Sequence, residues 1–205
     1  MKIGILGAGN IGGNLGTLWA ARGHEIVFGV RDPHSDKVQA LLTKIGSNAR
    51  AASVQEAASN GDLVVLAVHW PVAVPEVLAQ TDGLSGKILV DCTNRMAPPA
   101  PGSAASAAEE IARLVPGAKV VKAFSTLGAN NLANLQFGSE NASTFICGND
   151  PDAKAVVTQL GQEIGFDVVD AGPLANASLL ESLTKIWVQL SRHLGREIAF
   201  KLLRR

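Results

Sequence analysis

Residues 2–13, "KIGILGAGNIGG", hold the group best suited to chemistry: Gly7, Gly9 and Gly12 in G-x-G-x-x-G spacing. Alone, three glycines describe only a tight turn. Here they follow an apolar run and lead into Ile11, Leu15, Leu18 and Trp19, which recur at helical spacing. Strand, glycine turn and helix in that order form the fingerprint of a dinucleotide site. Gly7 permits the sharp turn, Gly9 leaves no Cβ between a pyrophosphate and the backbone N–H groups, and Gly12 lets the helix approach the strand. The helix start offers unbonded N–H donors and the positive end of its dipole.

The end of the next strand bears on which dinucleotide. An NAD site usually places an acid there, about 20 residues on, for the ribose hydroxyls. This chain has "GVRDP": Gly29 stands at the acid's place and Arg31 follows. With no carboxylate to repel it, a 2′-phosphate can pair with the Arg31 guanidinium, which favours NADP over NAD. Asp32, before Pro33, is read as a turn residue, with an inward ribose contact as the alternative.

Little else suits acid–base, nucleophilic or metal chemistry. There is no H-E-x-x-H, C-x-x-C or G-x-S-x-G, so neither a catalytic residue nor a metal ligand is assigned. His69 follows a strand at its carboxyl end and is a candidate ligand contact. Lys122 is read as a strand-end lysine paired with a neighbour, and Cys92 and Cys147, each within an apolar run, as buried reduced thiols.

These residues need a frame. "KIGIL", "EIVFG", "LVVLAV", "KILVDC", "KVVKAF", "TFICG" and "FDVVD" read as strands, with valine and isoleucine in succession as both-face burial requires. Helical periods fall between them, at 11–21, 36–45, 72–80, 103–114 and 151–164. The alternation predicts an α/β fold: a Rossmann-type doubly wound, mostly parallel sheet with a C-terminal helical extension. The loop "TNRMAPPAPGSAAS" faces the ligand side. After Gly172 the pattern becomes one long helix to about Leu203, opened by a Ser178/Glu181 capping box. Residues 1–171 are therefore expected to bind the nucleotide and 172–205 to complete the pocket.

"KIGILGAGNIGGNLG", "GHEIVFGVRD", "VVKAFSTLGANNLAN" and "DAGPLANASLLESLT" together resemble the 8-hydroxy-5-deazaflavin:NADP oxidoreductases. A more distant likeness is to the oxidoreductase domain of the six-transmembrane metalloreductases. The resemblance implies that Ala8, Gly9, Asn10 and Ile11 wrap the pyrophosphate and that Val30 and Arg31 face the 2′-phosphate. It implies that Val68, Trp70, Asn94 and Ala129 approach the nicotinamide half. Ser125 and Thr126, with Gly172, Pro173 and Leu174 of the "DAGPL" turn, would wall the acceptor pocket.

The function this implies is hydride transfer between NADP(H) and a deazaflavin, FMN or FAD. The two rings stack, and the protein only holds them and excludes water. Reduction of a small imine or carbonyl, with His69 or Ser125 as proton donor, is one alternative. A non-catalytic NADPH sensor is another. Lysine plus arginine and aspartate plus glutamate both number 18; this balance argues against a nucleic-acid partner. No apolar stretch is long enough for a membrane span. A cytoplasmic protein, paired as a homodimer, with a small-molecule redox acceptor as its partner, is the expectation.

Overall fold

The computed structural model describes all residues, 1–205. Its strands are β1 (Lys2–Leu6), β2 (Glu25–Gly29), β3 (Ala49–Ala52), β4 (Leu63–Leu66), β5 (Ile88–Asp91), β6 (Lys119–Lys122), β7 (Gln136–Phe137), β8 (Glu140–Asn141), β9 (Ser143–Gly148) and β10 (Asp167–Asp170). The helices are α1 (Asn10–Ala20), α2 (Asp36–Ile45), α3 (Val54–Asn60), α4 (Ala73–Leu78), α5 (Ala107–Leu114), α6 (Pro151–Glu163) and α7 (Ala177–Leu194).

Eight strands form one sheet in the order β10-β9-β6-β5-β4-β1-β2-β3, and β7 and β8 pair as a small hairpin. From β3 to β6 the strands are parallel, with Ile3 beside Ile26 and Leu63. This is the Rossmann order, whose switch point between β1 and β4 opens a crevice at the carboxyl ends. The successive apolar residues divide by face. Ile3, Ile5, Ile26, Phe28, Leu63 and Val65 join one core cluster; Leu6, Val27, Val64 and Leu66 join the other. Two covered faces are the reason these strands show no polar alternation.

Three expectations change. The strand "ARAA" (β3) and the helix α3 are not legible in the sequence: β3 has no β-branched residue and exists by pairing with β2. The helix expected at 103–114 begins only at Ala107, where the Ser106 hydroxyl accepts the Glu109 N–H at 3.2 Å. The last helix stops at Leu194, because Gly195 turns the chain at φ 80°. The tail then crosses back over the molecule. Asn131 Nδ2 donates to the Arg196 and Ile198 carbonyls at 2.9 and 3.0 Å, and Ser143 N donates to the Phe200 carbonyl at 2.9 Å.

The last two strands run the other way. β9 is antiparallel to β6, and β10 is parallel to β9. Their carboxyl ends therefore point away from the crevice.

Candidate nucleotide and acceptor site

The glycine turn is built for an anion. Gly7 sits at φ 107°, and a Cβ there would come within 2.6 Å of the Ala67 carbonyl oxygen. Gly9 opens α1 with no side-chain cap, and a Cβ built on it meets nothing within 4 Å. The first N–H groups of α1 thus face open space without a partner, and no acid stands in the first turn. Gly12 differs: it lies beneath the turn, where a Cβ would collide with the Gly7 carbonyl oxygen. Its part is to let α1 lie close against β1. Gly12→Ala is expected to lower stability by about 1–3 kcal/mol and to weaken nucleotide binding, both readable from urea melts and calorimetric titration.

Two cavities meet at this turn. One, of about 290 Å³, is lined by Gly7, Ala8, Val30, Arg31 and Val68 among others. Gly29 also lines it, and any larger residue there would strike Ala57 Cβ and Leu6 Cδ2, each 2.9 Å from an added Cβ. Close packing of α3 therefore leaves no room for the acid of an NAD site. Asp32 turns away, its Oδ1 accepting the His34 N–H at 2.9 Å. Arg31 forms none of the chain's side-chain hydrogen bonds or ion pairs and stands exposed at the rim. The residues present fit a 2′-phosphorylated dinucleotide, although Glu76 also lines this cavity.

The second cavity, about 450 Å³, runs from Gly9, Asn10 and Ile11 past Val68, His69 and Trp70 to Asn94 and Ala129. Asn94 is held from two sides. Its Nδ2 donates to the Ser125 carbonyl at 3.0 Å, and its Oδ1 lies 3.1 Å from the Thr184 hydroxyl of α7. Beneath it, Lys122 is wholly buried, with Nζ 3.0 Å from Asp91 Oδ2, 2.6 Å from the Thr93 carbonyl and 3.5 Å from Glu181 Oε1. Burial works against the Lys122 charge, and Asp91 and Glu181 more than offset it, so its pKa is raised and the ammonium persists. At Glu181, the farther of the two carboxylates, burial acts in the opposite direction and raises the pKa, with Lys122 pulling against it. The expected Ser178/Glu181 capping box does not form: Glu181 Oε1 instead accepts the Ala107 N–H at 2.8 Å. This network fixes the end of β5, from which Thr93 and Asn94 reach the cavity.

The residues expected on the acceptor side stand away from these two cavities. Ser125 and Thr126 are buried at 4% and 2% exposure and line neither cavity; their hydroxyls have no hydrogen-bond partner. Gly172, Pro173 and Leu174 lie at the opposite end of the sheet. Gly148 N donates to the Gly172 carbonyl at 3.1 Å and Leu174 N to Asn149 Oδ1 at 2.9 Å, next to Asp150, which pairs with Lys119 at the start of β6. The reversal of β9 and β10 carries them there. The second cavity is completed by Met96 from the β5 loop, Val188 from α7 and Arg196 from the tail, the last stacked 5.2 Å from the Trp187 ring. Thr93 and Met96 flank positions already marked by the strand-end rule. Nothing local marks Val188 or Arg196.

The cavity has no carboxylate in its lining. Cys92 is present but inert, since burial, then the nearby Asp91, pushes its thiol far above the usual range.

Comparison with known proteins bears on the fold and the family. A crystal structure from Arthrobacter sp. FB24, provisionally described as an F420-dependent NADP-reductase, superposes with a TM-score of 0.83 at 31% identity, covering 100% of both chains. The chain belongs to the coenzyme F420-dependent NADP oxidoreductase family. The family profile, "NADP oxidoreductase coenzyme F420-dependent", matches residues 2–95, which include the glycine turn, Arg31 and Asn94. The F420-dependent NADP reductase of Methanothermobacter marburgensis is 27% identical over 208 residues, covering 93% of this chain and 92% of its own. The rat metalloreductase STEAP3 is 32% identical over 187 residues, 89% of this chain. The chain spans only about a third of that relative, 36% of its length. No helix of this family member is long and apolar enough to cross a membrane.

Proposed function

We propose that this chain is an NADP(H)-dependent oxidoreductase that passes a hydride between NADPH and a deazaflavin or flavin-type acceptor. The observation that carries the reading is the continuity of the site. An uncapped helix start and an unpaired Arg31 lead into a cavity that ends at Asn94 and lacks any carboxylate. Bound NADPH supplies the hydride, with both electrons, from its dihydronicotinamide ring. The backbone at Ala8 to Ile11 holds the diphosphate, and Arg31 holds the 2′-phosphate. Asn94, kept in one orientation by Ser125 and Thr184, and Ala129 direct the nicotinamide end. Val68, Trp70, Met96 and Val188 would screen the place where the two flat rings meet. Residues 1–171 carry the nucleotide in this reading. The extension 172–205 closes the acceptor side through Val188 and Arg196.

The test mixes the protein with NADPH and, separately, oxidised F420 or FMN. Bleaching of the acceptor in step with NADPH loss is expected. NADPH binding without oxidation by either acceptor would leave a sensor. His69 is exposed on the cavity and is the one imidazole there. If it were a general acid, its loss would cost about 10²–10⁴ in rate. Direct ring-to-ring transfer predicts that His69→Ala keeps turnover within about tenfold, measured under saturating NADPH. Leu179, Ile186, Leu190 and Leu194 leave an apolar face on α7, at 64, 52, 38 and 66% exposure. This supports pairing of two chains, and light scattering is expected to give twice the chain mass.

A further inference from the structure

A third cavity, of about 530 Å³, lies beyond Trp70 and Met96, which it shares with the nucleotide cavity as a common wall. Pro75 of α4, Leu114 of α5, and Pro98 and Pro99 of the loop after β5 make it largely apolar. Its size is within the range of small-molecule sites.

Arg95 lines this cavity and is only 5% exposed. A guanidinium does not lose its charge at any working pH, and a buried charge without a counter-ion is costly by several kcal/mol. Lys122, the other buried cation, has two carboxylates beside it. Arg95 has none at ion-pair distance. Its Nη1 donates to the Ala104 carbonyl at 2.6 Å and lies 3.5 Å from Ser103 Oγ, and the guanidinium stacks 4.7 Å from the Trp70 ring. Of its five N–H donors, those on Nε and Nη2 have no partner in the chain. Glu110 shares the cavity, but its Oε2 accepts the Ala104 N–H at 2.8 Å and lies 3.8 Å from Arg113.

We propose that this cavity is a second ligand site, for a compact apolar molecule carrying one carboxylate, which docks on the free edge of Arg95. The apolar walls take the body and the guanidinium takes the carboxylate, a charge-assisted and bidentate match. Glu110 opposes a second negative charge, so a monoanion is preferred. The site is independent of the oxidoreductase reading and needs no turnover to be seen.

The test titrates the full chain calorimetrically with naphthalene-2-carboxylate and with neutral naphthalene-2-methanol, with and without saturating NADPH. The carboxylate is expected to bind about tenfold or more tightly than the alcohol, and NADPH is expected not to displace it. Arg95→Met should erase the difference and leave alcohol binding in place. Its thermal midpoint should hold or rise, because the change removes a buried cation with no counter-ion. Equal affinities in the wild type, failure of both probes to bind, or displacement by NADPH would each overturn the proposal. So would a clear drop in the midpoint, which would mean that Trp70 and Ala104 alone account for Arg95.

Discussion

Lys122→Met is expected to destabilise the fold by about 3–5 kcal/mol, a large part of the stability of an ordinary domain. Lys122, Asp91 and Glu181 are all within 3% of complete side-chain burial, and one ammonium serves two carboxylates. Its removal leaves both acids without a cation in a medium that hydrates neither. The urea midpoint should fall with little change in slope. The damage belongs to the orphaned charges rather than to lost contact area, so Asp91→Asn with Glu181→Gln in the same chain should restore most of it. The carboxamide that Asp91→Asn introduces can still accept the Thr93 N–H, which Asp91 Oδ1 accepts at 2.8 Å. If the combined variant is no more stable than Lys122→Met alone, the triad is not the cause. Glu181 fixes the sign of the pH effect. Burial raises its pKa, with Lys122 pulling against it. A raised value in the fold means that Glu181 favours folding while protonated. That contribution is lost as the pH rises from the ordinary glutamate value through the raised one. Glu181→Gln alone should therefore keep or raise stability at neutral pH.

Arg31→Ala should weaken NADPH binding about ten- to hundredfold and leave NADH nearly untouched, as loss of one or two charge-assisted hydrogen bonds requires. Arg31 has no partner within the chain, so its removal frees no carboxylate and breaks no internal bond. The change should appear in calorimetric Kd values for the two nucleotides, with the thermal midpoint unmoved. Equal loss for both would place the contact elsewhere, on the diphosphate or the adenine. Glu76, across the same cavity, sharpens the contrast. Once Arg31 is gone, it remains to repel a phosphate but not a ribose hydroxyl.

Much of the nucleotide half can be read from local pattern. Consecutive valines and isoleucines state that both faces of a strand are covered. The glycine spacing states that a turn must bring backbone near an anion. Gly29 and Arg31 state which ribose is expected. Each of these is carried by residues within a few positions of one another, where backbone sterics and period act directly. Of the positions expected to bind the cofactor, all but Gly12 line one of the two cavities at the crevice. Gly12 packs α1 onto the turn.

The acceptor side is not legible in this way. A strand's residues do not say which way it runs, and the antiparallel pairing of β9 with β6 takes the 172–174 turn to the far end of the sheet. Gly195 ends α7 early and brings Arg196 to a cavity whose floor is made at Gly9. Glu181 has the spacing of a cap and is instead a buried partner of Lys122. By itself, then, the sequence determined the glycine turn, the parallel core and the free cation at the rim of the crevice. The tertiary structure alone decided the direction of the last strands, the closing of the cavity by the tail and the sharing of one buried ammonium. Those depend on contacts between residues far apart in the chain, which no short-range period encodes.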